Sequence, residues 1–546
     1  MVSRLRAQLT GPDTRADFKR YHAVVASMTA TVRQRVAGVS LTASFSRGER
    51  TQAVPSPTQS RATRPAQPPR APRRRPALPG PDSLLWPGLV AAAFTLAQLA
   101  FVTPRMGLSW DETVYVSQIS GHAPAAFFDP ARARGVPLLV APVAAVTASV
   151  TALRCYLAVA SGLALFVALL AWRGLRPAWL LALAGVTFAG LWTAQYYGPQ
   201  AMPDLWVGLS ALAAAGCFLR AARRLDTGPR RSARGPLAGL AAALASAALF
   251  RPGDAIFLAG PLLLAVPAVR AWRRWPLAAA AAAGLVAGSA EWVAEAYVRF
   301  GGVAHRLHEA GAEQGGFRLS PGAWAELKAL NGPTLCRPCD VAWRQPELGL
   351  WWLALPLIVA LGLIAARAAG RLGSCALAAA CALSVAVPYL FLVSYGAPRF
   401  LLPAYALLAI PVADALGWLV TGPRPEYRPL AAGLLACGLA LQLVAQHLVL
   451  EHEVGGTVAY HDDYQRIAAD LARLGIRPPC LIRGEQFIPI AFVAGCASAG
   501  RPAVVAAPGR VAVLEWPHDP RPSYARHWTR HRLAGTRVLH LVGYIP

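Results

Sequence analysis

Eleven apolar runs recur along this chain, at 84–103, 153–172, 178–195, 202–219, 236–250, 254–269, 276–297, 349–366, 373–393, 400–420 and 429–449. Most are long enough as helices to cross roughly 30 Å of hydrocarbon, and several are short. A helix satisfies its own backbone hydrogen bonds, so the pattern predicts an all-α polytopic membrane bundle of about eleven transmembrane helices. Composition agrees. Only 15% of residues are charged and mean hydropathy is +0.40, against about 25% charged in soluble chains.

The formal net charge of +26 comes almost entirely from arginine, lysine occurring only at Lys19 and Lys328. Nucleic-acid binding is not the expected use of this charge, because the arginines fall in short connections between spans. Arg173 and Arg176, the six arginines from Arg220 to Arg234, Arg270 with Arg273 and Arg274, Arg367 with Arg371, and Arg424 with Arg428 all occupy alternate connections. The intervening short connections hold only Arg251 and Arg399. Positive charge is retained on the cytoplasmic face, so the expectation is a multi-pass protein of the cell membrane with a cytoplasmic N-terminus and an extracytoplasmic C-terminus. The apolar segment 136–150 would invert every later connection if it crossed, and is therefore expected to lie at the outer interface.

Three domains follow. Residues 1–83 hold 15 Arg/Lys against 4 Asp/Glu, with Pro-Arg clusters, and are expected to form a disordered basic cytoplasmic tail. The transmembrane domain is 84–449, with outer loops 104–152 and 298–348. Residues 450–546 alternate helical and strand-like patterns, with a helix over 463–474 and strands over 480–483, 511–514 and 537–542. They are expected to form a small extracytoplasmic α/β domain. Cys155, Cys217, Cys375, Cys381 and Cys437 fall in apolar spans, whereas Cys336, Cys339, Cys480 and Cys496 face the oxidising side. Two local disulfides, Cys336–Cys339 and Cys480–Cys496, are the simplest assignment.

The outer end of the first span carries Gly107-Leu108-Ser109-Trp110-Asp111-Glu112-Thr113-Val114-Tyr115. Adjacent carboxylates at a membrane surface repel, which raises the proton affinity of at least one and suits it to general-base work. The bland counterpart is a solvated acidic pair. Two further ionisable positions mark span ends: Asp204 after Gln195-Tyr196-Tyr197-Gly198-Pro199-Gln200-Ala201-Met202-Pro203, and Arg251 within Phe250-Arg251-Pro252-Gly253-Asp254. A fourth motif is Ser394-Tyr395-Gly396-Ala397-Pro398-Arg399-Phe400-Leu401-Leu402-Pro403-Ala404.

Together, over 84–420, these motifs resemble the GT-C superfamily of membrane glycosyltransferases, which includes protein O-mannosyltransferases and aminoarabinose transferases. The sequence departs from the family pattern at Ala201-Met202, where an arginine neighbourhood is expected, and at Phe400, where tyrosine is usual. The resemblance implies transfer of a sugar from a polyprenyl-phosphate donor to an extracytoplasmic acceptor, a glycan, lipid or protein. Asp111 would be the general base, Glu112 its assistant or an acceptor-orienting group. Arg399, Tyr395, Arg251 and Asp204 would bind the donor, since guanidinium forks match phosphate oxygens.

Glu291 and Glu295 lie one turn apart near the mouth of the seventh span and are expected to be solvated there. His305, His308 and Glu309 have spacing compatible with a divalent metal, so metal dependence stays open, and no other cofactor is implied. The chain lacks a P-loop and a dinucleotide fingerprint. Two rivals remain: a transporter or lipid flippase, expected to show midplane charge pairs and an inverted repeat, and a non-catalytic envelope protein on a degenerate version of the fold.

Overall fold

The computed structural model describes residues 83–104, 106–316, 318–343, 345–499, 510–533 and 536–546. The basic stretch 1–83 therefore lies outside the described residues except for Ser83. Helix α1 (Leu85–Ala97) continues into a π-helical turn, Gln98–Val102, and is followed by α2 (Trp110–Ser117) and α3 (Gly135–Ala144). Then come α4 (Val150–Leu170), α5 (Ala178–Ala189), α6 (Trp192–Tyr197), α7 (Asp204–Thr227), α8 (Arg234–Phe250), α9 (Pro252–Ala268) and α10 (Trp275–Arg299). Helices α11 (Val303–Gln314) and α12 (Gly322–Ala329) fill the second long connection. The bundle is completed by α13 (Leu350–Ala368), α14 (Leu372–Val387), α15 (Leu402–Thr421) and α16 (Arg428–Arg473).

Among the described residues, nine helices are long and apolar enough to cross a membrane. Two of the eleven expected spans fall below that length: α5 stops at Ala189, and α9 runs 17 residues with Pro261 and Pro267 inside it. Helix α3 is also short, at 10 residues. The protein is a multi-pass membrane bundle. Its spans α7 and α15 are the most enclosed, while α10, α13 and α16 turn most of their apolar surface outward.

Close approach replaces hydrophobic driving force where the outside is lipid. On α10, Gly284 and Gly288 face Ala241 and Ala245 of α8, and a Cβ on either glycine would lie 2.3 or 2.1 Å from the facing carbonyl oxygen. The two backbones meet along a stripe of small residues.

The charged connections sort the bundle into two ends. At one, Arg176 and Arg371, from separate basic connections, converge on buried Asp414, with Arg176 Nη2 2.7 Å and Arg371 Nη2 3.0 Å from its carboxylate. At the other lie Asp111, Asp204, Arg251 and Arg399, described below.

Helix α16 is unbroken for 46 residues, about 70 Å at 1.5 Å per residue. Its apolar first half belongs to the bundle, and its polar second half projects beyond and joins the terminal domain without a break at 450. That domain adds β1 (Leu481–Gly484), α17 (Phe487–Ala494), β2 (Ala497–Ser498), β3 (Val511–Glu515), β4 (Thr529–Arg532) and β5 (Val542–Ile545). The sheet order is β2-β1-β3-β5-β4, with β1 parallel to β2 and β3, and β5 antiparallel to β3 and β4. The strand expected over 537–542 begins only at Val542. The N–H groups of Arg537, Val538 and Leu539 all donate to the buried carboxylate of Asp463 on α16, so this stretch curls around an acid instead of pairing. Both cysteine pairs are bonded, Cys336 to Cys339 and Cys480 to Cys496. The terminal domain packs on α2, with Trp110 against Phe487 at 5.1 Å between ring centroids.

Candidate active site

Helix α2 starts at Ser109, whose side chain and Glu112 form a reciprocal capping box. That local bond decides the fate of the two adjacent acids, because it turns Glu112 inward and leaves Asp111 on the other side of the helix. Glu112 is fully buried. Its Oε1 accepts from the Ala201 N–H at 2.8 Å and from Arg154, and its Oε2 accepts from the Ser109 N–H at 3.0 Å and from Arg154 Nη2 at 2.8 Å. Arg154 also donates to the carbonyls of Met106, Gly107 and Pro199. This buried pair ties α2, α4 and the turn before α7 into one unit. Where the superfamily pattern has an arginine neighbourhood, buried Ala201 supplies a backbone N–H to Glu112 instead.

Asp111 points into an array of arginines. Its Oδ1 accepts from Arg132 Nη2 at 2.7 Å and its Oδ2 from Arg399 Nη2 at 3.1 Å. The alternation continues, with Arg399 Nε 3.6 Å from Asp204 Oδ2, Asp204 Oδ1 bonded to Arg251, and Arg251 Nε 3.6 Å from Asp254 Oδ2. Tyr389 donates its hydroxyl to Asp254. The ring of Phe400 lies between two of the guanidiniums, 5.2 Å from Arg251 and 5.1 Å from Arg399. Burial raises the proton affinity of Asp111, but the positive charges of Arg132 and Arg399, with Arg251 further off, outweigh it and hold the carboxyl below the usual carboxylate range. This reverses the direction expected from repulsion by Glu112. The reason is geometric: the capping box points the two carboxylates apart, and Arg154 neutralises Glu112.

Arg399 sits in a 3-10 turn, Pro398–Leu401, entering α15. The second long connection holds this turn in place. Cys336 exchanges two backbone hydrogen bonds with Gly396, of 2.8 and 3.2 Å. Gly396 has no room for a side chain, since a Cβ would lie 2.5 Å from the Ala325 backbone. Glu326 of α12, 1% exposed, accepts the Ala397 N–H at 3.0 Å. Desolvation pushes its carboxyl up to about 8, against the opposing pull of the Ala397 hydrogen bond and Arg399. Tyr395 bonds through its hydroxyl to Gln314, and the Arg337 guanidinium lies 4.9 Å from its ring centre. The hydroxyl of Tyr395 thus faces α11, while its ring edges onto Phe400 at 5.8 Å.

Arg132 is held from its backbone as well. Fully buried Arg306 donates to the carbonyls of Pro130 at 3.0 Å and Arg132 at 2.9 Å, and to Glu295 at 2.9 Å. Glu295 also receives Arg134 at 2.6 Å and Arg299 at 3.1 Å. It is therefore a buried hub under the site and not the solvated group expected from its place at a span mouth. Sequence reasoning missed Arg132, Arg154, Arg306 and Glu326. The arginines had a signal, for they stand on the face that the charge asymmetry otherwise leaves poor in arginine; Glu326, one acid in a polar loop, had none.

His305 and Glu309 are exposed and 3.7 Å apart. With His308 they do not converge as ligands. Among the described residues the carboxylates of Glu485, Glu515 and Asp519, in the terminal domain, are the group close enough to hold an ion.

This architecture, a helical membrane bundle with a charged site at one end and a small terminal sheet domain, is similar in fold to solved GT-C membrane glycosyltransferases. Its most telling counterparts are two crystal structures of ArnT from Cupriavidus metallidurans. The one bound to undecaprenyl phosphate matches with a TM-score of 0.59 at 14% identity, over 85% of this chain and 98% of that one. The apo form matches with a TM-score of 0.58 at 14% identity, over 84% and 97%. The archaeal oligosaccharyltransferase AglB from Archaeoglobus fulgidus gives a TM-score of 0.49 at 12% identity, over 76% and 64%. No protein-family model and no curated protein sequence matches the chain.

Proposed function

We propose that this protein is an integral-membrane glycosyltransferase that moves a sugar from a polyprenyl-phosphate donor to an acceptor hydroxyl on the extracytoplasmic side. The observation that carries this reading is Asp111, an ionised carboxylate held between Arg132 and Arg399. Glycosyl transfer from a phosphate needs a base for the acceptor hydroxyl and cations for the phosphate that departs. Both are here within one side chain's reach. The phosphate leaves carrying its own delocalised charge, so no acid need protonate it. Arg399 and Arg132 are assigned to the donor phosphate with Arg251 beside them, Asp204 holds Arg399 and Arg251 at the correct spacing, and Tyr395 walls the same end. That a structure of similar fold holds undecaprenyl phosphate supports a lipid-linked donor.

The outward placement of the site rests on the arginine asymmetry and on the two disulfides, which lie at the site's end and belong in an oxidising compartment. The test is a membrane assay with polyprenyl-phosphate sugars. Asp111→Asn keeps size and removes the proton acceptor, so transfer falls by about 10² or more while the protein still inserts. Glu112→Gln also loses activity, but through folding, because it strands Arg154 as a buried unpaired charge worth roughly 3–5 kcal/mol. Near-normal transfer by Asp111→Asn would remove the assignment, and no transfer by the wild type from any such donor would favour a non-catalytic role.

A further inference from the structure

The ion pairs of Asp111 pose a difficulty for the reaction just proposed. A base pinned by two guanidiniums is poorly basic, and two guanidiniums pinned by a carboxylate are poorly available to phosphate. The arrangement solves both at once. Resting on the function proposed above, we infer that Asp111 and the donor phosphate compete for the same two arginines, Arg132 and Arg399, so that arrival of the donor frees the base.

The geometry makes the exchange local. Arg132 and Arg399 each give Asp111 one terminal nitrogen, at 2.7 and 3.1 Å. Their remaining partners are fixed, Arg132 by Asp129 and Arg399 by Asp204. The backbone under Arg132 is clamped by Arg306, and the turn under Arg399 by Glu326 and Gly396. Neither arginine therefore has to travel; a phosphate needs only to displace one carboxylate between them. Asp111 is the most exposed acid of the array, its side chain 30% accessible against 1% for Asp204, so it is the one free to turn away. The other groups facing it are Arg251 and the hydroxyls of Tyr115 and Tyr395, and none of them changes partner in the exchange.

In the donor-bound state the proton of the acceptor hydroxyl passes to the freed Asp111 carboxylate and the acceptor oxygen bonds to the anomeric carbon. The bond from that carbon to the phosphate oxygen breaks, and its electron pair stays on the phosphate held by Arg132 and Arg399. When the lipid phosphate leaves, the two arginines return to Asp111 and its proton passes to water. The base is thereby poised only while the donor is seated.

Competition has a consequence that a simple base would not show. By reciprocity of linked equilibria, whatever factor phosphate adds to the proton affinity of Asp111 is also the factor by which loss of its charge tightens phosphate. Undecaprenyl phosphate is titrated into the full-length protein in nanodiscs at pH 7, using wild type, Asp111→Asn, Asp111→Ala, Arg132→Gln and Arg399→Gln. Both Asp111 variants should bind about tenfold more tightly than wild type, within the usual range of coupling, and both arginine variants more weakly. Two Asp111 variants guard against one of them misfolding. Unchanged or weaker binding in both, with weaker binding in the arginine variants, overturns the competition and leaves the donor site standing. Unchanged binding in Arg132→Gln and Arg399→Gln overturns the donor site itself and the competition with it.

Discussion

At the scale of single residues, the most informative group outside the aspartate–arginine array is Glu326. Its carboxyl is buried beneath the turn that presents Arg399, with Tyr405 beside it and Asp204 beyond, and burial raises it from 4.5 to about 8. The sign of the pH effect follows. Below pH 4.5 folded and unfolded chains are both protonated there. As pH rises the unfolded chain ionises first and the folded state loses ground, until the folded carboxyl also titrates near 8. A glutamine at this position would keep an acceptor for the Ala397 N–H and remove the titration. Glu326→Gln should therefore match the wild type at about pH 4 and exceed it by on the order of 4 kcal/mol near pH 8, seen as a thermal midpoint that falls less steeply with pH. A parallel decline in both proteins would show that Glu326 is ionised in the fold. Asp111, Asp204, Arg251 and Arg399 were legible in the sequence because each breaks a rule of membrane composition at a span end. Their partners Arg132 and Arg306 stood out only as arginines on the face otherwise poor in them, Glu326 did not stand out at all, and only the chain's path through space brings the three to Arg399 or Asp111.

At the scale of elements, periodicity and length located the helices, and the departures arise where an apolar run is not one span. The run 178–195 is two helices, because the chain turns at Gly190 and Leu191, with the Trp192 N–H bonded to Gln446 of α16. The run 429–449 is the first half of a helix twice its length, because no proline falls in 451–464 and the Gly455-Gly456 pair is not enough to break it. Contact between helices is where sequence pattern and energetics meet most directly. Gly288→Val would place a branched side chain at a point where a Cβ already lies 2.1 Å from the Ala245 carbonyl oxygen. Helices α8 and α10 must separate, at about 1–3 kcal/mol for overpacking. The variant should unfold at a lower temperature than the wild type, whereas Gly253→Ala, at a position with open space around the added Cβ, should not. Equal midpoints for Gly288→Val and wild type would mean that these helices do not pack along their small residues.

At the scale of the whole molecule, one axis organises the bundle: the ion pairs Arg176–Asp414–Arg371 lie at one end, and those of the proposed site, such as Asp111–Arg399, at the other. The contacts establish that Arg176 and Arg371 share an end and that Asp111, Asp204, Arg251 and Arg399 share the opposite one, as alternating connections require. Which end faces the cytoplasm is an electrostatic matter, since arginine in short connections resists translocation. In the orientation proposed above, the six arginines from Arg220 to Arg234 would hold the connection from α7 to α8 in the cytoplasm, and the disulfide Cys480–Cys496 would belong to a terminal domain outside. A reporter inserted within 226–232 should therefore be active only as a cytoplasmic probe, and one fused after Pro546 only as an extracytoplasmic probe. The second fusion must follow the last strand, because one placed at Val449 would cut α16 in mid-helix and detach the domain that packs on α2. Thiol labelling of intact cells checks the same axis independently: a membrane-impermeant maleimide should reach the half-exposed Cys480 only after an impermeant reductant is added outside. The reversed pattern in both measurements would put Asp111 and its arginines on the cytoplasmic side, where the donor and acceptor would have to be sought instead.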